Sequence, residues 1–388
     1  MIVSIIGAGP VGLYFSILLK LKLKHDVDIT IYEKRQVEYT RDQILIVNTQ
    51  LLNRFPVKLV KLVWGAGGPG CYTQLPWLTR NAFCYKKKGT DLHAGIVISS
   101  LEKIMKTYAL ELGIKIINEE INVSSMKKLV EISNLVIGSD GTKSVTSEYI
   151  KNDIIQYMPT TYGLGFTFSY KDNKKVNEIP TNRLGSKIPQ HRYRGFRSKE
   201  GKGYLGVTLS ETEYNEFVSN PSSDIIQDII SSGLSYYSFT DVYQKKIFPI
   251  TVEPVKKSKY CDSNTNIFLI GDSASNTHYF TGSGVNNGFL AANFLVNSIS
   301  SKGIPKTLYT RYQKYAEKIT ITSEKKIKEV IIDFDVIKKS CKVLTDSKLK
   351  NISIKQRINF PLKRNGNVNM SELCYLLARS RQIYKSKK

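Results

Sequence analysis

Carboxylates are scarce in this chain: 33 Asp and Glu stand against 57 Lys and Arg, a net charge of +24 over 388 residues. That balance excludes an acidic, solvating protein and raises the question of an anionic partner. Arginine is scarce as well, 13 against 44 lysines, and arginine is the side chain whose planar fork suits phosphates and base edges. The excess is therefore lysine bias and argues against nucleic acid as the partner. The five cysteines (Cys71, Cys84, Cys261, Cys341, Cys374) are odd in number and lack CxxC spacing, which excludes a zinc site or a disulfide framework and predicts a reducing, cytoplasmic setting. His25, His93, His191 and His278 show no metal-ligand spacing. Long apolar runs are missing too. None approaches the ~20 residues of a membrane span, and Phe289 to Ile299 is interrupted by Asn293 and Asn297. The opening residues offer no basic segment of the secretory kind.

Against this thin background one pattern stands out. The apolar run Ile2 to Ile6 breaks into Gly7-Ala8-Gly9-Pro10-Val11-Gly12, and a second β-favouring run, Ile29 to Tyr32, ends at Glu33. Gly7 permits a tight strand-to-helix turn, Gly9 lets backbone approach a pyrophosphate, and Gly12 lets the helix pack closely on the strand. The free N–H groups at the helix start would face the phosphates. Glu33 follows Gly12 at about the 20-residue interval that places a carboxylate on a ribose hydroxyl. The helix is predicted to bury Val11, Tyr14, Leu18 and Leu21 as one stripe. The ligand class is a dinucleotide, with FAD and NAD(P) both open at this point.

Strand and helix patterns alternate through the first third. Gln43 to Asn48 reads as a strand, Gly65 to Gly70 as a mobile glycine-rich loop flanked by Trp64 and Trp77, Leu101 to Leu112 as a helix closed by Gly113, and Ile114 to Asn118 as a strand. From about Thr160 to Val252 strand-like runs such as Tyr162 to Tyr170 and Tyr204 to Leu209 dominate, with two short helical stretches between them. The first pattern resumes at Asn266. Beyond Gly303 the chain reads as helical and basic, residues 301–388 holding 22 Lys or Arg against 7 Asp or Glu. Solvated helix faces explain that charge; an acidic protein partner is the alternative. His191 to Arg197 mixes basic and aromatic residues, a text that an exposed hairpin produces as readily as a nucleic-acid surface.

Two further signatures lie downstream. Asn134 to Ile137 runs into Gly138-Ser139-Asp140-Gly141, where Asp140 can hold backbone N–H groups or a cofactor hydroxyl. Ile267 to Ile270 runs into Gly271-Asp272-Ser273-Ala274 and then Gly282-Ser283-Gly284-Val285-Asn286-Asn287-Gly288. A carboxylate at a strand end and a glycine-rich helix start suit two ends of one extended cofactor. The order GxGxxG, DG, GD resembles the flavoprotein monooxygenases of the para-hydroxybenzoate hydroxylase type over roughly residues 1–300. The resemblance implies FAD held by Gly7, Gly9, Gly12 and Glu33 at the adenosine end, with Asp272 at the ribityl and pyrophosphate region and the helix starting near Gly284 facing the ring; Asp140, Gly271 and Asn286 are further candidate cofactor contacts. Within that group, Glu33-Lys34-Arg35 and the later Arg41-Asp42-Gln43 are similar to the EKR and RNN stretches of the MICAL monooxygenases, which adds Arg35 and Arg41 as FAD contacts. Asp42 and Gln43 depart from the asparagines.

For fold, these patterns imply an α/β protein: a Rossmann-like FAD-binding domain (1–155 and 256–302), an inserted β-rich substrate domain (156–255) and a basic helical C-terminal region (303–388). The activity implied by the resemblance is an FAD-dependent monooxygenase that takes NAD(P)H and oxygen to hydroxylate or oxidise a small molecule or a protein side chain. Another FAD-dependent oxidoreductase (halogenase or reductase) and a non-catalytic flavin-fold interaction protein are the alternatives. No second Rossmann unit for NAD(P)H is visible in the sequence. Thr146 stands where the DG signature commonly ends in arginine, and Ser275, His278 and Tyr279 replace the usual residues after the GD pair. His278 is the candidate acid or donor near the ring.

Overall fold

The computed structural model describes residues 1–36, 41–74, 92–158, 160–171, 193–198, 200–236, 242–277, 279 and 283–325. His278, Trp77, His191 and Arg192, and the basic stretch beyond residue 325, lie outside them. In chain order the elements are β1 (Ile2–Ile6), α1 (Pro10–Leu23), β2 (Asp28–Tyr32), β3 (Ile44–Asn48), α2 (Thr49–Leu52), α3 (Val57–Trp64), β4 (Cys71–Gln74), β5 (Leu92–Val97), α4 (Ile98–Glu111), β6 (Lys115–Ile117), α5 (Val123–Ile132), β7 (Leu135–Gly138), α6 (Val145–Tyr149), β8 (Ile154–Tyr157), β9 (Thr161–Tyr170), β10 (Tyr193–Arg197), β11 (Lys202–Leu209), α7 (Glu211–Ser219), α8 (Asp224–Tyr236), β12 (Val242–Val252), β13 (Val255–Lys257), β14 (Cys261–Asp262), β15 (Ile267–Leu269) and α9 (Ser283–Ser298), followed by a helix over 307–325. Among the described residues no helix is long and apolar enough to cross a membrane.

Two compact units share the chain, one made of Met1–Cys71, His93–Thr160 and Val252–Ile327, the other built on Thr161–Thr251. In the first, a six-stranded sheet runs β14-β15-β7-β1-β2-β6, parallel throughout except for the β14–β15 pair. A parallel sheet needs both faces covered, and Val3, Ile5, Ile31, Leu135, Val136 and Ile137 are buried accordingly. Because the strands are parallel, the carboxyl ends of β1, β2, β7 and β15 share one edge of the sheet. Ligands of open α/β sheets bind at that edge.

Helix α1 departs from the expected stripe. It packs on β1 and β2 and also on α4 and α9, so Leu13, Phe15, Ile17 and Leu19 are fully buried while Leu21 is 37% exposed. A helix covered on several sides is apolar all round, and its period then carries little information about which face is inner. Helix α9 meets α1 through aromatic packing, with the Phe289 ring 4.7 Å from Tyr14 and 5.1 Å from Phe55. At the other end of α9, Lys22 Nζ donates to the Val296, Asn297 and Ile299 carbonyls, placing a cation where the helix dipole is negative.

The glycine-rich loop carries turn hydrogen bonds and a close approach. Gly68 N–H donates to Gly65 O at 3.0 Å and Gly70 N–H to Val63 O at 2.8 Å, and Gly70 lies so close to the buried Trp64 ring that a Cβ would come within 2.3 Å of it. At Gly70 glycine serves close approach.

In the second unit the sheet order is β10-β11-β9-β12, with β10–β11 and β11–β9 antiparallel. Leu164, Phe166, Phe168 and Tyr170 alternate along β9 on one face and pack with Leu205, Val207, Phe217, Ile226 and Ile230, while Gly163, Gly165 and Thr167 on the other face are buried too. A Ser210–Glu213 capping box starts α7.

Candidate active site

The turn after β1 is held from several directions. Gly7 has φ +97°, its N–H donates to Tyr32 O at 2.8 Å, and a Cβ on it would lie 2.6 Å from the Ser139 carbonyl oxygen. The Ser139 hydroxyl lies 2.9 Å from both the Ile6 and Gly7 carbonyl oxygens, tying the second signature to the first. Gly12 faces Gly7 O, which a Cβ would approach to 2.3 Å. Gly9 is different: a Cβ there would meet nothing within 4 Å. It starts α1, no side chain caps it, and Pro10 follows. The start of a long helix is thus uncapped with open space beside Gly9, an arrangement suited to receive phosphate oxygens.

Glu33, at the end of β2, is buried. Oε2 accepts Ala8 N–H at 2.8 Å and Arg35 Nη2 at 2.9 Å; Oε1 accepts Arg35 N–H and Arg35 Nε, both at 2.9 Å. Burial alone would raise the Glu33 carboxyl, but the Arg35 fork and the backbone N–H groups outweigh it and hold the group below the usual range. Arg41 donates to Glu102 Oε1 at 2.8 Å, and Arg35 Nη1 lies 3.5 Å from the same oxygen. Glu102, in α4, is fully buried, and burial raises its carboxyl against the pull of both arginines. Sequence reading missed Glu102. Its signal was a carboxylate inside the apolar stripe Leu101, Met105, Tyr108, Ala109.

The third signature folds to the same sheet edge. Gly271, with φ +66°, turns the chain out of β15, and a Cβ on Gly284 would lie 3.2 Å from Thr277 Oγ1 and 3.5 Å from Asp272 Oδ1. Asp272 and Thr277 thus sit at the start of α9. The Asp272 side chain is exposed to solvent; the protein packed near it pushes its carboxyl up while Arg41 draws it back. Thr277 Oγ1, buried, has no hydrogen-bond partner among the described residues. Gly288 closes the helix onto α1, where a Cβ would come 2.5 Å from Val11.

Asp140 and Asn286, two candidate cofactor contacts, also bind within the protein. The Asp140 carboxylate accepts Ser144 Oγ at 2.6 Å and Thr146 N–H and Oγ1 at 3.1 Å, which makes it the organiser of the α6 start; burial raises its carboxyl against those bonds. Asn286 Oδ1 accepts Asn48 N–H and its Nδ2 donates to Ile46 O, each at 2.9 Å, so its amide ties α9 to β3. Thr146 is fully buried against Gly138, on which a Cβ would fall 2.7 Å from it. An arginine has no room at that position. Ser275 is buried and its N–H donates to Gly271 O.

Lys257, at the end of β13, was also missed. Its Nζ donates to Ser147 Oγ at 3.0 Å and to the Ser273 carbonyl, joining α6 to the Asp272 turn. Burial pushes it down to about 8, and Asp140 opposes the shift. The folded value lies below the unfolded one, so between pH 8 and the ordinary lysine range near 10.4 the folded lysine sheds its proton while the unfolded one keeps it, and stability rises with pH by up to about 3 kcal/mol. Urea unfolding at pH 8 and pH 10 is expected to show this rise in the wild type and to lose it in Lys257→Met. Equal pH slopes for the two proteins would refute the assignment.

No protein-family model matches the sequence, and no curated protein matches it. Solved structures do. PqsL of P. aeruginosa, solved in complex with 2-aminobenzoylacetate, is similar with a TM-score of 0.56 at 14% identity over 83% of this chain and 93% of its own. The tetrameric form of 2-methyl-3-hydroxypyridine-5-carboxylic acid oxygenase gives 0.57 at 13% identity over 87% and 92%. CmlS, a flavin-dependent halogenase, gives 0.61 at 14% identity over 100% of this chain and 77% of its own. The chain has the fold these proteins share, the Rossmann-like α/β fold of the flavoprotein monooxygenases and flavin-dependent halogenases.

Proposed function

We propose that this chain is an FAD-dependent oxidoreductase that uses NAD(P)H and oxygen to hydroxylate or oxidise a small molecule or a protein side chain. The observation that carries the proposal is the convergence at one sheet edge of two helix starts, the uncapped α1 with open space at Gly9 and α9 at Gly284, with Glu33 beside the first and Asp272 and the Thr277 hydroxyl, unpartnered among the described residues, beside the second. These donors and acceptors fit an extended dinucleotide: N–H groups for its phosphates and carboxylates for its hydroxyls. FAD, when bound, supplies the electron transfer and the oxygen activation that amino-acid side chains lack. The chain's own residues bind and orient. Gly9 to Gly12 would receive the pyrophosphate, Glu33 the adenosine ribose, Asp272 the ribityl side, and the α9 start would stabilise negative charge on the ring. His278 is the proposed acid or donor beside it.

A second proposal, favoured by the likeness to CmlS across the whole chain, is a flavin-dependent halogenase. Such an enzyme calls for a lysine reaching the far side of the pocket, and Lys257 is already committed to Ser147 and Ser273. One experiment separates the two. The purified chain, reconstituted with FAD, is expected to be yellow and to oxidise NAD(P)H faster in the presence of its substrate; halide dependence of product formation would favour the halogenase, and failure to take up FAD would sink both.

A further inference from the structure

Among the described residues Glu102 is the carboxylate whose buried oxygen lacks a partner: Oε1 meets Arg41 and Arg35, and Oε2 accepts no hydrogen bond. Leaving a buried charged acceptor unmet is expensive, and such exceptions in a folded protein call for an explanation. Glu33, one arginine away, has the opposite problem. A carboxylate offers about four acceptor positions, and Glu33 receives Ala8 N–H, Arg35 N–H, Arg35 Nε and Arg35 Nη2. Nothing is left for a ribose diol. Two of those donors belong to the Arg35 guanidinium, as many as a ribose diol brings, while the two backbone N–H groups are fixed by the turn and by the strand end.

We propose that Arg35 is a displaceable stand-in for the ribose: when a nucleotide binds, its guanidinium leaves Glu33 and is taken up by the vacant Oε2 of Glu102, so that cofactor binding is coupled to a carboxylate-to-carboxylate handover. The inference rests on the FAD proposal above. The geometry supports the short path, since Arg35 Nη1 already lies 3.5 Å from Glu102 Oε1. Charge is conserved in the exchange: Arg35 stays paired with a carboxylate throughout, Glu33 trades a fork for two hydroxyls, and the orphaned oxygen gains its donor. Arg35 and Glu102 are positioning residues in this scheme, acting on the cofactor through Glu33. Arg41 holds Glu102 Oε1, which leaves Oε2 as the oxygen to receive the fork.

The test is a double-mutant cycle on FAD affinity, read by quenching of flavin fluorescence on the full chain. Glu102→Gln, which removes the receiving charge at constant shape, is expected to weaken FAD binding about tenfold when Arg35 is present. On an Arg35→Met background, where Glu33 is already free, the same change is expected to have no effect, giving a coupling close to the whole single-mutant loss. Should Arg35→Met fail to fold, Arg35→Lys serves instead, and its single point charge is expected to reduce the coupling. Equal losses on both backgrounds, or no loss on either, would overturn the handover while leaving FAD binding intact. A wild type that takes up no FAD would overturn the functional proposal, and the handover with it.

Discussion

Replacing Gly7 with alanine is expected to cost about 4 kcal/mol, much of the stability of an ordinary domain, through two separate effects. The φ of +97° is a conformation L side chains rarely adopt, and the added Cβ would stand 2.6 Å from a backbone oxygen of Ser139, an atom that cannot swing aside as a side chain would. Gly9→Ala is the matched control. Its φ of −71° is ordinary and a Cβ there meets nothing within 4 Å, so the stability change is expected to stay within about 1 kcal/mol. The open space that makes Gly9→Ala harmless to the fold is where the proposed pyrophosphate approaches, so FAD affinity is expected to fall by about tenfold or more. Urea unfolding and a flavin titration on both variants check the pair. A Gly9→Ala protein that binds FAD as the wild type does would remove α1 from the proposed cofactor site.

Phe289→Ala is expected to cost about 4 kcal/mol. The ring is fully buried and forms the contact between α9, Tyr14 and Phe55, and the void cannot close because Tyr14 is itself pinned: its hydroxyl donates to Arg54 O at 3.1 Å and accepts Asn293 Nδ2 at 2.9 Å. Phe289→Leu leaves a smaller cavity and is expected to cost about 1–2 kcal/mol. The order of the two losses at unchanged urea m-value is the readout; indistinguishable small losses would mean the cluster relaxes freely. Since α9 carries Gly284 at its start, the alanine variant is also expected to bind FAD more weakly than the leucine variant.

Much of the site was legible because its parts are local. A glycine at a positive φ, a carboxylate ending a strand and a glycine-rich helix start each have a backbone reason that survives without tertiary context, and the three signatures fall at the carboxyl ends of β1, β7 and β15 as a parallel sheet requires. The α/β class came from the alternation of the same patterns. The stripe expected on α1 failed where local period stops being informative, in a helix covered by the sheet and by two helices at once. In the glycine-rich loop Gly70 admits the Trp64 ring, a partner that composition does not reveal.

Asp140 and Asn286 show the division most clearly. From sequence each is a polar side chain in the right motif; in the structure the first accepts from Ser144 and Thr146 at the start of α6 and the second is bonded to the β3 backbone, because polar groups at a packed edge bind the nearest donors and acceptors. Glu102 and Lys257 lie outside every motif, since a buried charge is recognisable only once its partners are assembled from distant segments. Turn geometries, strand ends and the ligand class they suit were readable from the residues alone, since all of them depend on φ, hydrogen-bond chemistry and short spacing. Which carboxylates are already spent, and which oxygen is left over, emerges only when the chain has folded, because that depends on Arg35 and Arg41 being brought onto a helix residue more than fifty positions away.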